Sequence, residues 1–225
     1  MYKNEKNYDK LINNGYTFFL NPKDQIELKR LLKKNEYEIY YPTKDSEKLI
    51  FYKNKPDISL YKIITNNTLR HQDILGSLFN LGIDESCFGD IIIDDDNYYV
   101  FIMNTIEDFF ISNFKKIGKF SIELIKLDID YLKNYERKYE KIEIIIPSNR
   151  IDLVISRIIK GNREKIKDLI KNKDILLNYD YLKNNSYKLK EGDIFSIRKY
   201  GKFKYIGIKG TTKKDNLVIE LNKYI

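Results

Sequence analysis

The apolar and polar positions fall into segments with different periods. In NPKDQIELKRLLKK (21–34), Ile26, Leu28, Leu31 and Leu32 recur near helical spacing. Asn21 suits a cap and Pro22 the first helical position, so a helix is predicted there. EYEIYY (36–41) alternates as a strand does, Pro42 to Ser46 is a loop, EKLIFYK (47–53) fits helix or strand, and Pro56-Asp57 marks a break. From Ile58 the order becomes regular. ISLYKIIT is a strand, and LRHQDILGSLFNLGI is a helix with Leu69, Ile74, Leu75, Leu78, Phe79 and Leu81 on one side and Gly82 at its end. GDIIIDDDNYYVFIM makes two strands about an acidic turn. IEDFFISNFKKIG is a second helix, with Phe109, Phe110, Phe114 and Ile117 as its core stripe and Gly118 as its stop, and FSIELIKL is a fourth strand. Asp130 to Glu140 is charged and tyrosine-rich, as a linker would be, and KIEIIIP is a strand stopped by Pro147.

The order strand-helix-strand-strand-helix-strand is the split βαβ, or ferredoxin-like (RRM-like), arrangement. The expected fold class is α+β. An N-terminal α/β segment spans 1–57, a ferredoxin-like domain 58–140, and a third domain 141–225. No apolar run reaches the ~18 residues of a membrane span, and the start MYKNEKNYDK lacks the apolar centre of a secretory signal. Cys87 is the only cysteine, which excludes an internal disulfide and a cysteine-based zinc site. These features predict a soluble cytoplasmic protein.

Charge separates the two ends of the chain. Residues 150–225 carry 19 Lys and Arg against 9 Asp and Glu, whereas residues 1–149 carry 22 against 24. An excess confined to one end points to a polyanion-binding module. Within it, Ile151, Val154, Ile155, Ile158 and Ile159 form one helical stripe, with Arg150, Arg157 and Lys160 away from it. In the next helix Ile166, Leu169 and Ile170 face a core, and Arg163, Lys167 and Lys171, at i, i+4 and i+8, form a basic ridge. Cations spaced in this way can grip successive phosphates. ILLNY and DIFSIRKY then form a hairpin, with EGD (191–193) as a tight turn and Asn178 placed to meet a sugar or phosphate. Lys173, before the first of these strands, and Lys202 complete the candidate RNA contacts.

These residues resemble the S4 RNA-binding domain. Its opening Arg-Leu-Asp has its counterpart in Arg150-Ile151-Asp152, its Ser-Arg in Asn162-Arg163, and its Leu-Ile in Leu169-Ile170. Its Val-x-Val-Asn is matched by Ile175 to Asn178, and its Gly-Asp by Gly192-Asp193. The family's glycine before the strand is Lys173 here, so Asn172 is expected to take the left-handed conformation instead. SYKLKEGDIFSIRKYGKFKY with GTTKKD, RHQDILGSLFNLGI with FGDIII, and FLNPKDQ further resemble YlmH-type S4 proteins. That resemblance implies a bacterial RNA-binding accessory protein whose RRM-like domain precedes the S4 domain. It implies association with the large ribosomal subunit, with rRNA or peptidyl-tRNA as partner, in quality control of stalled nascent chains. A monomer without cofactor, metal or small-molecule substrate is expected. Two alternatives remain at this level: an RNA-modifying enzyme that uses the S4 domain for delivery, and a protein-interaction adaptor.

Other candidates carry less. His71 and Asp73, at i and i+2, point apart on a helix, which suits a helix start with Arg70 better than proton transfer. Asp94, Asp95 and Asp96 lack the spacing of a calcium loop and fit a solvated turn. Cys87 has no activating neighbour in sequence and fits a buried thiol. Tyr200, Phe203 and Tyr205 alternate with Lys199, Lys202 and Lys204, which fits either a core face or a base-stacking strip. Tyr98, Tyr99 and Phe101 are the candidate stacking aromatics of the RRM-like sheet.

Overall fold

The computed structural model describes the backbone of residues 2–33 and 36–224, and the side chains within those ranges from Tyr8 onward. The chain forms two compact units, Met1–Glu136 and Arg137–Ile225, in a mixed architecture of helices and antiparallel sheets.

The first unit opens with α1 (Tyr2–Asn14) and α2 (Pro22–Leu31). Asn21 caps α2 by accepting from the Asp24 N–H at 2.9 Å. Leu28 is fully buried, but Ile26 and Leu31 are more than half exposed. The inward place one turn before Leu28 goes to Gln25, whose amide donates to the carbonyls of Leu20 (2.8 Å) and Glu47 (2.7 Å). The helix ends before the expected Lys33, and Lys34 lies outside the described residues. β1 (Glu38–Tyr40) pairs with β2 (Ile50–Tyr52), so the ambiguous 47–53 stretch contains a strand.

β3 (Ile58–Ile64), α3 (His71–Asn80), β4 (Phe88–Asp94), β5 (Asn97–Met103), α4 (Glu107–Asn113), β6 (Lys116–Ile117), β7 (Phe120–Ser121) and β8 (Glu123–Leu127) follow. A four-stranded antiparallel sheet has the order β4-β5-β3-β8. Both helices lie on one face, where Ile74 and Leu78 of α3 and Phe110 of α4 pack against Tyr61, Ile63, Val100 and Ile102. The second helix is shorter than expected. It stops at Asn113, and Gly118, at φ +57°, turns the β6–β7 hairpin rather than ending a helix. Phe109 and Phe79, both expected in the core, are nearly half exposed.

The opposite face is covered as well. Leu60, Ile92, Tyr99, Phe101 and Met103 are buried against Phe19, Ile50 and Leu132. Gly89 permits this closure, because a Cβ there would meet the Phe19 ring at 3.0 Å and the Phe101 Cβ at 3.1 Å. Phe19 N–H donates to the Ser86 carbonyl (3.0 Å), and Asp90 accepts the Glu47 N–H (2.6 Å). The Lys48 ammonium, only 13% exposed, donates to the carbonyls of Glu85 and Phe88, and burial pushes its pKa down. The tyrosine-rich 130–140 stretch is therefore not a free linker along its length. Its first half folds onto the sheet through Leu132, because the sheet's second face is apolar and must be covered.

The second unit is β9 (Tyr139–Ile146), α5 (Ile151–Ile159), α6 (Arg163–Lys171), β10 (Ile175–Leu177), β11 (Asp180–Tyr181), β12 (Ile194–Ile197), β13 (Gly201–Thr211) and β14 (Leu217–Tyr224). Its strands form one antiparallel sheet, β11-β10-β12-β13-β14-β9. α5 and α6 bury Ile151, Val154, Ile155, Ile159 and Ile166 against Phe195, Ile197, Phe203, Tyr205, Ile219 and Leu221. Ile170 is only half-buried, so Ile166 is the main anchor of α6.

The turn after α6 departs from expectation. Asn172 keeps φ −78°, and Lys173 itself is left-handed at φ +58°. Asp174 N–H donates to the Leu169 carbonyl (2.8 Å) and Lys173 N–H to that of Ile170 (3.0 Å). This is a Schellman ending with lysine where glycine usually stands, and its backbone geometry fixes which residue must turn left.

Candidate nucleic-acid interface

The second unit carries 22 Lys and Arg against 11 Asp and Glu. Asn162 caps α6 by accepting the Lys165 N–H at 3.0 Å, which sets the helix phase. With Ile166 turned inward, Arg163, Lys167 and Lys171 come out exposed along one side. Arg157 and Lys160, at the end of α5, are exposed as well, with Lys160 left-handed at φ +48°. Among the described residues none of these five cations holds an ion pair. Their charge is thus available to a partner. Arg150 differs: its Nε and Nη2 donate to Asp152 at 3.1 and 2.7 Å, which locks it at the start of α5.

Asn178 is engaged at both ends of its amide. Nδ2 donates to Asp193 Oδ1 at 2.8 Å, and Oδ1 accepts the Ile194 N–H at 2.9 Å. Asp193 also accepts the Lys190 N–H at 2.8 Å, so Asn178 and the Gly192-Asp193 turn brace one another. Lys173 Nζ lies 5.4 Å from the Tyr181 ring centre. Lys202 Nζ lies 4.9 Å from the Tyr179 ring and 4.8 Å from that of Tyr224. The lysine–aromatic alternation on β13 resolves by phase. Phe203 and Tyr205 are buried, with Phe203 stacked on Phe195 at 5.3 Å, while Lys202 and Lys204 take the other face. The aromatics that share that other face, Tyr179, Tyr181 and Tyr224, escaped sequence reasoning, because the 179–181 segment lies far in sequence from Lys202 and Tyr224 and meets them only through strand pairing.

In the first unit, Asp73 accepts from the Arg70 N–H (2.9 Å) and from its guanidinium (3.0 and 2.7 Å), a closed helix start that holds the Asp73 carboxyl below its ordinary range. Asp95, at φ +52°, sits in the β4–β5 turn. Cys87 is buried, which pushes its thiol up. Tyr98 faces the helix-side core, and Tyr99 and Phe101 lie under the covered face, so none of the three is open to a base. Burial and the neighbouring Tyr131 push the Tyr99 phenol up to about 12. Residues 57–131 hold 6 Lys and Arg against 13 Asp and Glu, an acidic balance. No helix among the described residues is long and apolar enough to cross a membrane.

The family described as "Putative RNA-binding domain in YlmH" matches residues 57–131. The chain is 29% identical over 145 residues to "Ribosome-associated protein quality control protein P2" of Bacillus subtilis, covering 64% of this chain and 56% of that protein. It thus spans little more than half the length of this relative. A solved structure, "Cell division protein ylmH from Streptococcus pneumoniae", is 26% identical and covers 59% of this chain and 91% of that one at a TM-score of 0.46. The resemblance first drawn from short motifs is matched by the family model over residues 57–131.

Proposed function

We propose that this chain is a non-enzymatic, cytoplasmic and monomeric RNA-binding protein that associates with the ribosome. Its RNA is structured, from the large-subunit rRNA or a peptidyl-tRNA, and its role is quality control of stalled nascent chains. The name of the Bacillus relative supports the setting. The observation that carries the reading is the row of unpaired cations on α5 and α6, Arg157, Lys160, Arg163, Lys167 and Lys171, in a unit with a net charge of +11. Arg150, Lys173, Asn178 and Lys202 complete the proposed surface, with Arg150 and Asn178 acting mainly to hold its shape. The two-helix layer and the 175–197 hairpin support an S4-type fold for 141–225. The strand order β4-β5-β3-β8, with both helices on one face, supports a ferredoxin-like fold for 58–140, with residues 1–57 as the N-terminal segment.

Filter binding of the full chain to structured ribosomal RNA across a salt series tests this. A variant with Arg163, Lys167 and Lys171 all changed to alanine should keep its melting temperature and lose affinity. Its salt slope should fall by about one per contact removed. Unchanged affinity and slope in that folded variant would overturn the reading.

A further inference from the structure

The sheet of the second unit has two unlike faces. One lies under α5 and α6, and among the described residues no buried cluster lies on the other. Strand register fixes what this open face carries. Leu176 pairs with Tyr181 and with Ser196, and Ser196 pairs with Lys202. Lys204 pairs with Asn222, which sets Tyr224 beside Lys202. A row of tyrosines and lysines therefore crosses the sheet on the side opposite the helices.

We propose that this open face is a platform for unpaired RNA, on which Tyr181 and Tyr179 stack bases while Lys202 and Lys204 meet the adjoining phosphates. The proposal rests on the RNA-binding reading above and adds a second subsite of different chemistry to it. Three observations carry it. Tyr181 is 53% exposed, with Lys173 at 5.4 Å from its ring, so the ring is held beside a cation yet open to solvent. Lys202 stands between the rings of Tyr179 and Tyr224, which fixes a cation within the aromatic row. The third is backbone strain. Asn178 and Tyr179 form the two-residue turn between β10 and β11 at φ +47° and +68°. Such a turn favours Asn-Gly, and a bulky residue at its second position is costly. Strain kept at that position brings a tyrosine ring to the row, and strain of this kind gathers at functional sites. Aromatic rings interleaved with lysines on an open sheet suit unpaired nucleotides, because every base offers a π-face. The net charge of the unit favours a polyanion over an acidic sheet or a membrane-spanning partner.

The test uses the full chain and two labelled RNAs, a short unpaired oligouridine and a hairpin, read by fluorescence anisotropy with a thermal melt of each variant. Tyr181→Ala should weaken oligouridine binding roughly ten-fold and leave hairpin binding and salt slope unchanged, and Tyr181→Phe should restore it. Tyr179→Gly creates the favoured Asn-Gly turn, so it should melt higher than the wild type and yet bind oligouridine more weakly. A purely structural tyrosine would not separate the two in that direction. Wild-type oligouridine binding by folded Tyr181→Ala and Tyr179→Gly variants would overturn the proposal. A wild-type protein that binds the hairpin but not oligouridine would overturn it too, while leaving the helix ridge intact. Binding to neither RNA would overturn the RNA-binding reading itself.

Discussion

The four-stranded sheet of the first unit and the six-stranded sheet of the second differ in how many faces they close. In β5, NYYVFIM, every residue after Asn97 is buried: Tyr98, Val100 and Ile102 go to the helices, and Tyr99, Phe101 and Met103 go to the cover made by Phe19, Ile50 and Leu132. In β13, Phe203 and Tyr205 go inward while Lys202 and Lys204 go out. A continuous apolar run needs a partner layer on both sides, whereas strict alternation leaves one side to water. The aromatic residues of the first sheet therefore serve packing, whereas Tyr181 on the open side of the second is 53% exposed. The charge follows the same division, with acid dominating residues 57–131 and base dominating 137–225.

The largest expected effect comes from opening the closed sheet. Phe101 is fully buried beneath Phe19 and against Gly89. Phe101→Ala should destabilise the first unit by about 3–5 kcal/mol, as deletion of a buried phenyl ring generally does. RNA affinity measured below the melting transition should not change. A drop in affinity without a drop in melting temperature would mean that the covered face opens to ligand, and the contrast between the sheets would fail.

Much of this contrast was legible in the sequence, and the failures are instructive. The succession β3-α3-β4-β5-α4-β8 and the phase of α5 and α6 followed from apolar spacing and glycine stops, because each of these elements keeps one period over its length, whereas the β6–β7 hairpin did not. The aromatic residues of β5 were weighed as base-stackers by type, although their unbroken apolar run already pointed to burial on both sides. Phe109 and Ile117 fell on one helical stripe, but Phe114, at ψ +72°, leaves the helix and passes the chain into a hairpin. A period of 3.6 does not announce where a helix stops when no cap residue marks it. Ile166, Leu169 and Ile170 were expected on one core face, and all three pack there, but only Ile166 is fully buried, since apolar positions on a short amphipathic helix differ by part of a turn. The tyrosines of the open face could not be assembled at all without strand register.

A smaller effect separates the sheets by acid. Glu107 sits at the start of α4 with its side chain 18% exposed. Burial by itself opposes its ionisation, but hydrogen bonds from Lys126 (2.7 Å) and Tyr61 (2.6 Å) outweigh this and hold the carboxyl at about 2. A folded pKa below the unfolded value gives stability that is present above about pH 4.3 and is lost as pH falls toward 2. The upper bound is about 3 kcal/mol. The open sheet has instead a surface pairing of Lys209 with Glu143, whose side chains are 52% and 55% exposed, and exposed pairs contribute little. Melting of the chain between pH 5 and 2 should lose the first unit's transition first, and Glu107→Gln should flatten its pH dependence. Equal acid sensitivity in wild type and Glu107→Gln would remove this carboxylate from the account.

The smallest effect bears on why lysine occupies a glycine position. Lys173 completes the Schellman turn after α6 in a left-handed conformation that costs an L-residue roughly 1 kcal/mol. Its ammonium lies beside Tyr181, at the edge where the helix ridge meets the open sheet. Lys173→Gly should therefore stabilise the second unit by about 0.5–1 kcal/mol, seen as a rise of a few degrees in melting temperature. If the lysine is kept for its charge, the same change should weaken RNA binding a few-fold and lower the salt slope by somewhat less than one. Lys173→Asn separates the two contributions, since asparagine tolerates the left-handed region but carries no charge. It should match glycine in affinity and fall between glycine and lysine in stability. A Lys173→Gly variant that gains stability and keeps full RNA affinity would show that the charge at this turn contributes nothing to binding. The edge between the helix ridge and the open sheet would then be a boundary between two separate surfaces, and not a passage from one to the other.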